Sequence, residues 1–233
     1  MSKKTWIIFV AVVVAMFGAL IYFSGGDQVD VSEVNESRIL SGSEASGGIG
    51  DHVFGNPDAK VTLLEYGDFQ CPTCKSVHEP LKTVTEKYAD QVAFVYRNFP
   101  ITAIHPNALA AAAAAEAAGL QGKYWEMHNR LYEDQASWSN LPVNERTDFF
   151  VGYARELGLN EAEFREDIAS EAVSQKIRFD QALGAKVGVD GTPAVYLNDT
   201  KLELDDLTSA EALEAAIRAE LEKQGVALPE ENK

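Results

Sequence analysis

The sequence predicts an α/β fold in which a βαβ unit, a helical insert and a closing ββα unit follow one N-terminal apolar helix. Three observations predict it. Two short runs of β-branched and apolar residues, "KVTLLEY" (60–66) and "QVAFVYRNF" (91–99), flank a stretch with helical periodicity. A long block of helix-forming composition follows, beginning with an alanine run. The chain then returns to a strand pattern in "GTPAVYLND" (191–199) before a last amphipathic stretch.

From Trp6 to Phe23 the chain carries 18 consecutive uncharged, mostly apolar residues. As a helix this run rises roughly 27 Å, close to the hydrocarbon thickness of a bilayer. Trp6 and Tyr22 sit near its ends, where interfacial aromatics belong. Lys3 and Lys4 precede it, and Asp27, Asp30, Glu33 and Glu36 follow. The basic end is therefore expected in the cytoplasm and the C-terminal bulk outside. A cleaved signal peptide shares the basic start, but the run is long for one. "YFSGGDQ" also offers no A-x-A site and no cysteine for lipid attachment. The expectation is a single-pass cell-membrane protein with an extracytoplasmic domain, residues 1–23 being the cytoplasmic tip and the transmembrane anchor. Anchored or cleaved, the domain reaches an oxidising compartment.

Residues 24–50 are rich in Ser, Gly and acids and end in "SGSEASGGIG", which reads as a flexible linker. The folded domain is expected over 51–225, with the helical insert at about 101–188 and a loose tail over 226–233. After the first strand "GDFQ" turns the chain. Pro72 can then occupy a first helical turn, where a missing N–H is harmless. Val77, Leu81, Val84 and Tyr88 recur as one helical face. Pro80, inside that helix, is expected to kink it. Strand, helix, strand makes the two strands parallel. In the insert, "NALAAAAAAEAAG" closes at Gly119 and "RTDFFVGYARELG" at Gly158. "KYWEMHNRLY" brings Trp125, His128, Leu131 and Tyr132 near one face, as packing residues. Asn160 with Glu163 has capping-box form, and a further helix is expected from about Glu171 to Leu183. "KLEL" (201–204) is the expected second strand of a hairpin, and "SAEALEAAIRAELEKQG" (209–225) the last helix.

Hydrophobic residues make up 46% of the 233, enough for one sizeable core. The net charge of −16 repels phosphate backbones, so nucleic acid is not an expected partner. There is no Gly-rich phosphate loop and no nucleotide motif, and no cofactor is expected.

The chain's only two cysteines, Cys71 and Cys74, lie in "GDFQCPTCKSVHEP". Two cysteines do not make a disulfide framework, and a bridge over two residues removes little chain entropy. The same spacing can ligate metal. Cys71, Cys74 and His78 would suit Cu(I), whereas a structural zinc site wants four ligands and no second C-x-x-C is present. The third reading is redox chemistry. Cys71 sits at or next to the N-cap of the helix that Pro72 opens. There the free N–H groups and the positive dipole end favour a thiolate nucleophile. Cys74 falls about one turn further in, more buried, as a resolving thiol. His78 is expected on the helix surface and His105 at a helix start.

"LLEYGDFQCPTC" and "GTPAVYLND" together resemble the DsbA-like branch of the thioredoxin-fold thiol–disulfide oxidoreductases. The helical insert is similar to that branch rather than to thioredoxin itself, and the resemblance covers about 51–223. It implies a thioredoxin fold and a redox-active Cys71–Cys74 pair with Pro72 and Thr73 as the active-site dipeptide. It implies that Thr192–Pro193 is a cis-proline loop facing the disulfide, whose backbone pairs with an extended substrate. Glu65, six residues before Cys71, takes the place of a carboxylate that relays protons to the buried thiol. Exported cysteine-containing proteins are the implied substrates and a membrane quinone-linked reoxidase the implied partner. The Pro-Thr dipeptide departs from the Pro-His of the best-known member. Thr73 can donate a hydrogen bond but brings no positive charge, so a strongly oxidising potential does not follow automatically. The expected function is an extracytoplasmic oxidase forming disulfides in exported proteins. The alternatives are a reductase or isomerase of the same fold, or a Cu(I) carrier using Cys71, Cys74 and His78.

Overall fold

The computed structural model describes residues 3–24 and 29–229; the side chains of residues 8, 11 and 18–24 also lie outside the described set. The chain divides into two units, residues 1–30 and 31–233. The first unit is helix α1 (Lys3–Ser24). Its described side chains Trp6, Ile7, Phe9, Val12, Val14 and Met16 are exposed. Among the described residues no helix is long and apolar enough to cross a membrane. The anchor expected over 6–23 falls partly on side chains outside that set.

The second unit contains β1 (Val53–Gly55), β2 (Val61–Gly67), α2 (Pro72–Lys87), β3 (Val92–Asn98), α3 (Ala108–Leu120), α4 (Tyr124–Glu133) and α5 (Gln135–Trp138). It continues with α6 (Arg146–Glu156), α7 (Glu161–Ile168), α8 (Glu171–Lys186), β4 (Ala194–Leu197), β5 (Thr200–Lys201), α9 (Leu204–Leu207) and α10 (Ala210–Lys223). The strands form one sheet of order β1-β3-β2-β4-β5. β2 and β3 run parallel, with Leu63 opposite Phe94 and Gly67 opposite Asn98; the other pairings are antiparallel. These two central strands are covered on both faces, which is why they read as continuous apolar runs rather than alternating ones. This is a mixed α/β, thioredoxin-like fold with a helical insert, α3–α8, between β3 and β4.

Two cores result. Val77, Leu81 and Val84 of α2 meet Leu63, Phe94 and Val195 of the sheet and Leu213, Ile217 and Leu221 of α10. The insert builds the other, in which the alanines of α3 are buried almost throughout and Met127, Leu131, Trp138, Phe150, Phe164 and Ile177 pack with them. Alanine lets neighbouring helices approach closely, and a helix apolar all round belongs inside. α2 runs through Pro80 without a break.

Three expectations differ from the structure, and one short strand, β1, is not anticipated by the sequence. The linker expected over 24–50 is packed from residue 31 onward: Val31, Ser46 and Ile49 are buried, and Ser43 caps a short 3-10 turn at Glu44–Ser46. Buried Arg97 donates to the Glu36 and Arg38 carbonyls, and Lys186 to those of Ser32 and Val34. Gly47, at φ 65°, lies against the Ala172 backbone where a Cβ would collide. The glycines here serve close approach rather than flexibility. The tail expected to be loose packs Val226 and Leu228 on the α2–α10 core; residues 230–233 lie outside the described set. The second hairpin strand is two residues, not "KLEL", because Glu203 and Asp206 form a capping box that starts α9. β1, three residues on the sheet edge, is too short to show a period.

Candidate active site

The C-terminal end of β2 delivers the chain into the Gly67–Cys71 loop. Gly67 has to be glycine, because a Cβ there would enter the ring of Tyr96. Asp68, buried, then organises the turn. Its Oδ1 accepts from the Gln70 N–H at 2.8 Å, and its Oδ2 accepts from the Ile101 N–H at 2.8 Å and pairs with His105 Nδ1 at 2.8 Å. Gln70 donates to the Ser139 carbonyl at 2.7 Å and accepts from the Asn107 N–H at 2.7 Å. Gln135 donates to the Phe69 and Cys71 carbonyls at 2.8 and 3.0 Å. The insert therefore holds the cysteine loop from outside with neutral amide groups.

Cys71 is the N-cap residue of α2, with Pro72 in its first turn. Cys71 is 7% exposed and Cys74 fully buried, and both are free thiols. The Thr192–Pro193 peptide bond is cis, and Cys71 Sγ lies 3.5 Å from the Thr192 carbonyl oxygen. The Cys71 thiol is pulled down to about 5. The hydrogen bond from Cys74 is the largest cause, helped by the N–H groups of Cys74 and Thr73 at the helix start and opposed by burial. Cys74 is pushed well above its usual value by burial, with the Cys71 thiol and the Glu65 charge adding to it. Glu65 is buried with Oε1 unpartnered, and loss of solvent followed by the Cys71 charge raises it to about 8. Pro72 is exposed and Thr73 half-buried.

The structure thus brings Cys71, Cys74, Glu65, Thr73 and Thr192 into one electrostatic neighbourhood. His78 is not on the surface as expected. It is buried, stacks on Tyr132 at 4.9 Å and lies 5.5 Å from His128, ring centre to ring centre. Among the described residues no three His, Cys, Asp or Glu side chains are placed to hold a metal ion. Cys71, Cys74 and His78 therefore do not assemble as a ligand set. His105 meets the loop through Asp68 rather than only starting a helix. Asp68, Gln70, Asn107 and Gln135 were not singled out from sequence. The available signal was a run of hydrogen-bonding side chains beside the cysteines, "GDFQC".

A family model described as Thioredoxin matches residues 48–219. The chain belongs to the thioredoxin family. Among curated relatives of this thioredoxin domain is Na(+)/H(+) antiporter NhaA 1 of Mycolicibacterium gilvum, 36% identical over 152 residues, covering 64% of this chain and 23% of that protein. The chain spans about a quarter of the length of the curated relatives it matches. A thioredoxin-like oxidoreductase from Silicibacter pomeroyi is 29% identical with a TM-score of 0.56, covering 72% of this chain and 92% of that one. Alpha-DsbA1 of Wolbachia pipientis is 23% identical with a TM-score of 0.62, covering 74% of this chain and 92% of that one, a likeness of fold. The fold is thioredoxin-like, the one that these oxidoreductase structures share.

Proposed function

We propose that this protein is an extracytoplasmic protein thiol–disulfide oxidoreductase that forms disulfides in exported cysteine-containing proteins. The observation that carries the proposal is the opposed environment of the two thiols under the cis-proline loop. Cys71 is favoured as thiolate, while Cys74 is buried and favoured as thiol. A substrate thiolate attacks Cys71 Sγ of the Cys71–Cys74 disulfide, and Cys74 leaves as thiolate. Cys74 then takes a proton from Glu65, which is protonated at neutral pH. A second substrate thiolate attacks the substrate sulfur of the mixed disulfide and expels Cys71, already stable as thiolate. The substrate loses two electrons and the protein pair gains them. A membrane quinone-linked reoxidase is the partner that would take them away. The Thr192 backbone next to Cys71 suits pairing with an extended substrate, and the N–H of Thr73 supports the thiolate.

A well-stabilised Cys71 thiolate makes the reduced form stable and the disulfide oxidising, which favours an oxidase over a reductase or isomerase. The uncharged run from Trp6 to Phe23, with lysines before it and acids after it, supports anchoring in the cell membrane with the domain outside. Equilibration with glutathione tests the direction: a potential near or below about −270 mV would assign the protein to reduction instead. Reporter fusions and N-terminal sequencing test the address. Cytoplasmic reporter activity would refute export, and a mature N-terminus near residue 25 would refute the anchor.

A further inference from the structure

Glu65, His78 and His128 line one cavity of about 20 Å³, which is space for a single water molecule. Each is buried, at 2%, 5% and 2% exposure, and each carries a buried polar atom with no partner in the protein: Glu65 Oε1, His78 Nε2 and His128 Nε2. An unsatisfied buried polar group costs about 1–3 kcal/mol. Three in one cavity call for an occupant that can hydrogen-bond to several groups at once, and water does so with two to four partners.

The donors and acceptors are complementary. His128 Nδ1 lies 3.1 Å from Asn129 Oδ1, which can only accept, so Nδ1 carries the hydrogen and Nε2 offers a lone pair to the cavity. Glu65, protonated at neutral pH, offers an O–H. Burial holds both imidazoles below their usual value, His78 to about 4 and His128 to about 3, so both are neutral when the carboxyl is protonated. Lysines 75 and 82 face His78, and His78 faces His128. Outward from the histidines the lining continues to Asn129 and to the Lys82–Glu86 ion pair, partly open to solvent.

We propose that this cavity is the proton port of the cysteine pair: one bound water bridges Glu65 to His128 and His78, and protons cross between Glu65 and solvent along this route between α2 and α4. The inference rests on the thiol–disulfide exchange reading and adds a path and two residues to it. When Cys74 leaves as thiolate and takes the Glu65 proton, the Glu65 carboxylate is reprotonated by the cavity water. That water recovers its proton from His78, which gives the hydrogen of Nε2 and takes one from the solvent side at Nδ1, while His128 Nε2 accepts a hydrogen bond from the water and holds it in place. One proton enters for each Cys74 thiol formed, and one leaves by the same path when the disulfide reforms. A bound substrate covers Cys71 and the Thr192–Pro193 loop, and none of these lines the cavity, so a port there keeps Cys74 in proton contact with water throughout.

The test uses the full chain and two variants that keep an aromatic ring but remove its nitrogens, His128→Phe and His78→Phe. Oxidation of a reduced dithiol peptide is followed in H2O and D2O, with Cys71 alkylation as a control. The variants are expected to slow oxidation by about tenfold or more, to change the solvent isotope effect and to recover with added imidazole buffer, while Cys71 alkylates at the wild-type rate. Variants that match wild type in rate and isotope effect would overturn the port and leave the exchange reading standing; a wild type that exchanges no disulfide overturns both. Should the variants not fold, a high-resolution structure of the wild type decides. A water within hydrogen-bond distance of Glu65 Oε1 and His128 Nε2 supports the port, and an empty cavity overturns it.

Discussion

Removing the Cys74 thiol should take away much of the acidity of Cys71. Cys71 stands at about 5 against an ordinary 9.0, with the Cys74 hydrogen bond as the largest cause. A hydrogen bond to a charged group is worth about 1.5–3 kcal/mol, and one pKa unit is about 1.4 kcal/mol. Cys74→Ala should therefore raise the Cys71 pKa by about one to two units, leaving the helix N–H groups to hold it below a free cysteine. The same shift gives the reduced protein a pH-dependent stability. Between the folded value of about 5 and the unfolded 9.0, the unfolded chain binds one more proton. Stability therefore rises with pH across that window, is fully present above the unfolded value, and is lost as pH falls through the folded one. At pH 7 this amounts to about two units, or ~2.7 kcal/mol. The oxidised protein has no thiol to titrate, so the difference between reduced and oxidised urea curves isolates the effect. Ultraviolet thiolate absorbance gives the pKa directly. A wild-type Cys71 that titrates near free cysteine, or a Cys74→Ala variant whose Cys71 does not move, would show that the helix start and Cys74 do not act as described.

Glu65→Gln should slow exchange and remove an inflection in rate near pH 8, measured by stopped-flow oxidation of a dithiol peptide; a wild-type profile flat through that pH would refute the role. The raised Glu65 pKa means the fold loses stability as pH rises from the unfolded value of 4.5 towards 8, so the same variant should be more stable at pH 7 by about 3 kcal/mol in urea unfolding. Pro193→Thr should leave the fold intact but accumulate mixed disulfides at Cys71, seen as bands that vanish on reduction; wild-type turnover and band pattern would mean the loop does not govern release. His78 and His128 stay neutral while their unfolded counterparts charge below about 6.5, so acid should destabilise the fold. By pH 5 each histidine should have cost about 2 kcal/mol, and His128→Phe should flatten its share of that slope.

The βαβ unit was legible because its signals are local. "KVTLLEY" and "QVAFVYRNF" are buried on both faces and so mostly apolar, and Pro72 at the helix start places Cys71 at the N-cap. The position of Thr192–Pro193 came from the resemblance; nothing local in "GTPAVYL" says that it lies over Cys71. The buried state of His78 was hidden for another reason. Its face of α2 is covered by α4, whose Tyr132 and His128 arrive from fifty or more residues away. The clamp on the cysteine loop was hidden likewise, because Gln135 and Asn107 act through backbone partners that no residue type announces.

The segment before residue 51 shows the same limit at larger scale, and physical chemistry decides where the folding unit begins. Its composition is that of a linker, yet Asp51 holds buried Arg97 at 2.7 Å and buried Lys176 at 3.1 Å, and Lys176 also pairs with Asp180 at 2.7 Å. Arg97 needs the Glu36 and Arg38 carbonyls as well. Breaking one side of such a cluster leaves a charge buried without its partner, which is far more damaging than never having built it. Arg97 and Asn98 end β3 opposite Tyr66 and Gly67, and the Phe99 N–H donates to the Gly67 carbonyl at 2.7 Å, at the mouth of the cysteine loop. A chain starting at residue 51 would keep every residue of the C-x-x-C and cis-proline motifs, yet would leave the Arg97 guanidinium short of two acceptors beside the loop that positions Cys71. The arm therefore belongs to the folded domain, held by its Ser32, Val34, Glu36 and Arg38 carbonyls on Lys186 and Arg97, while Gly42, Gly47 and Gly50 allow close backbone approach.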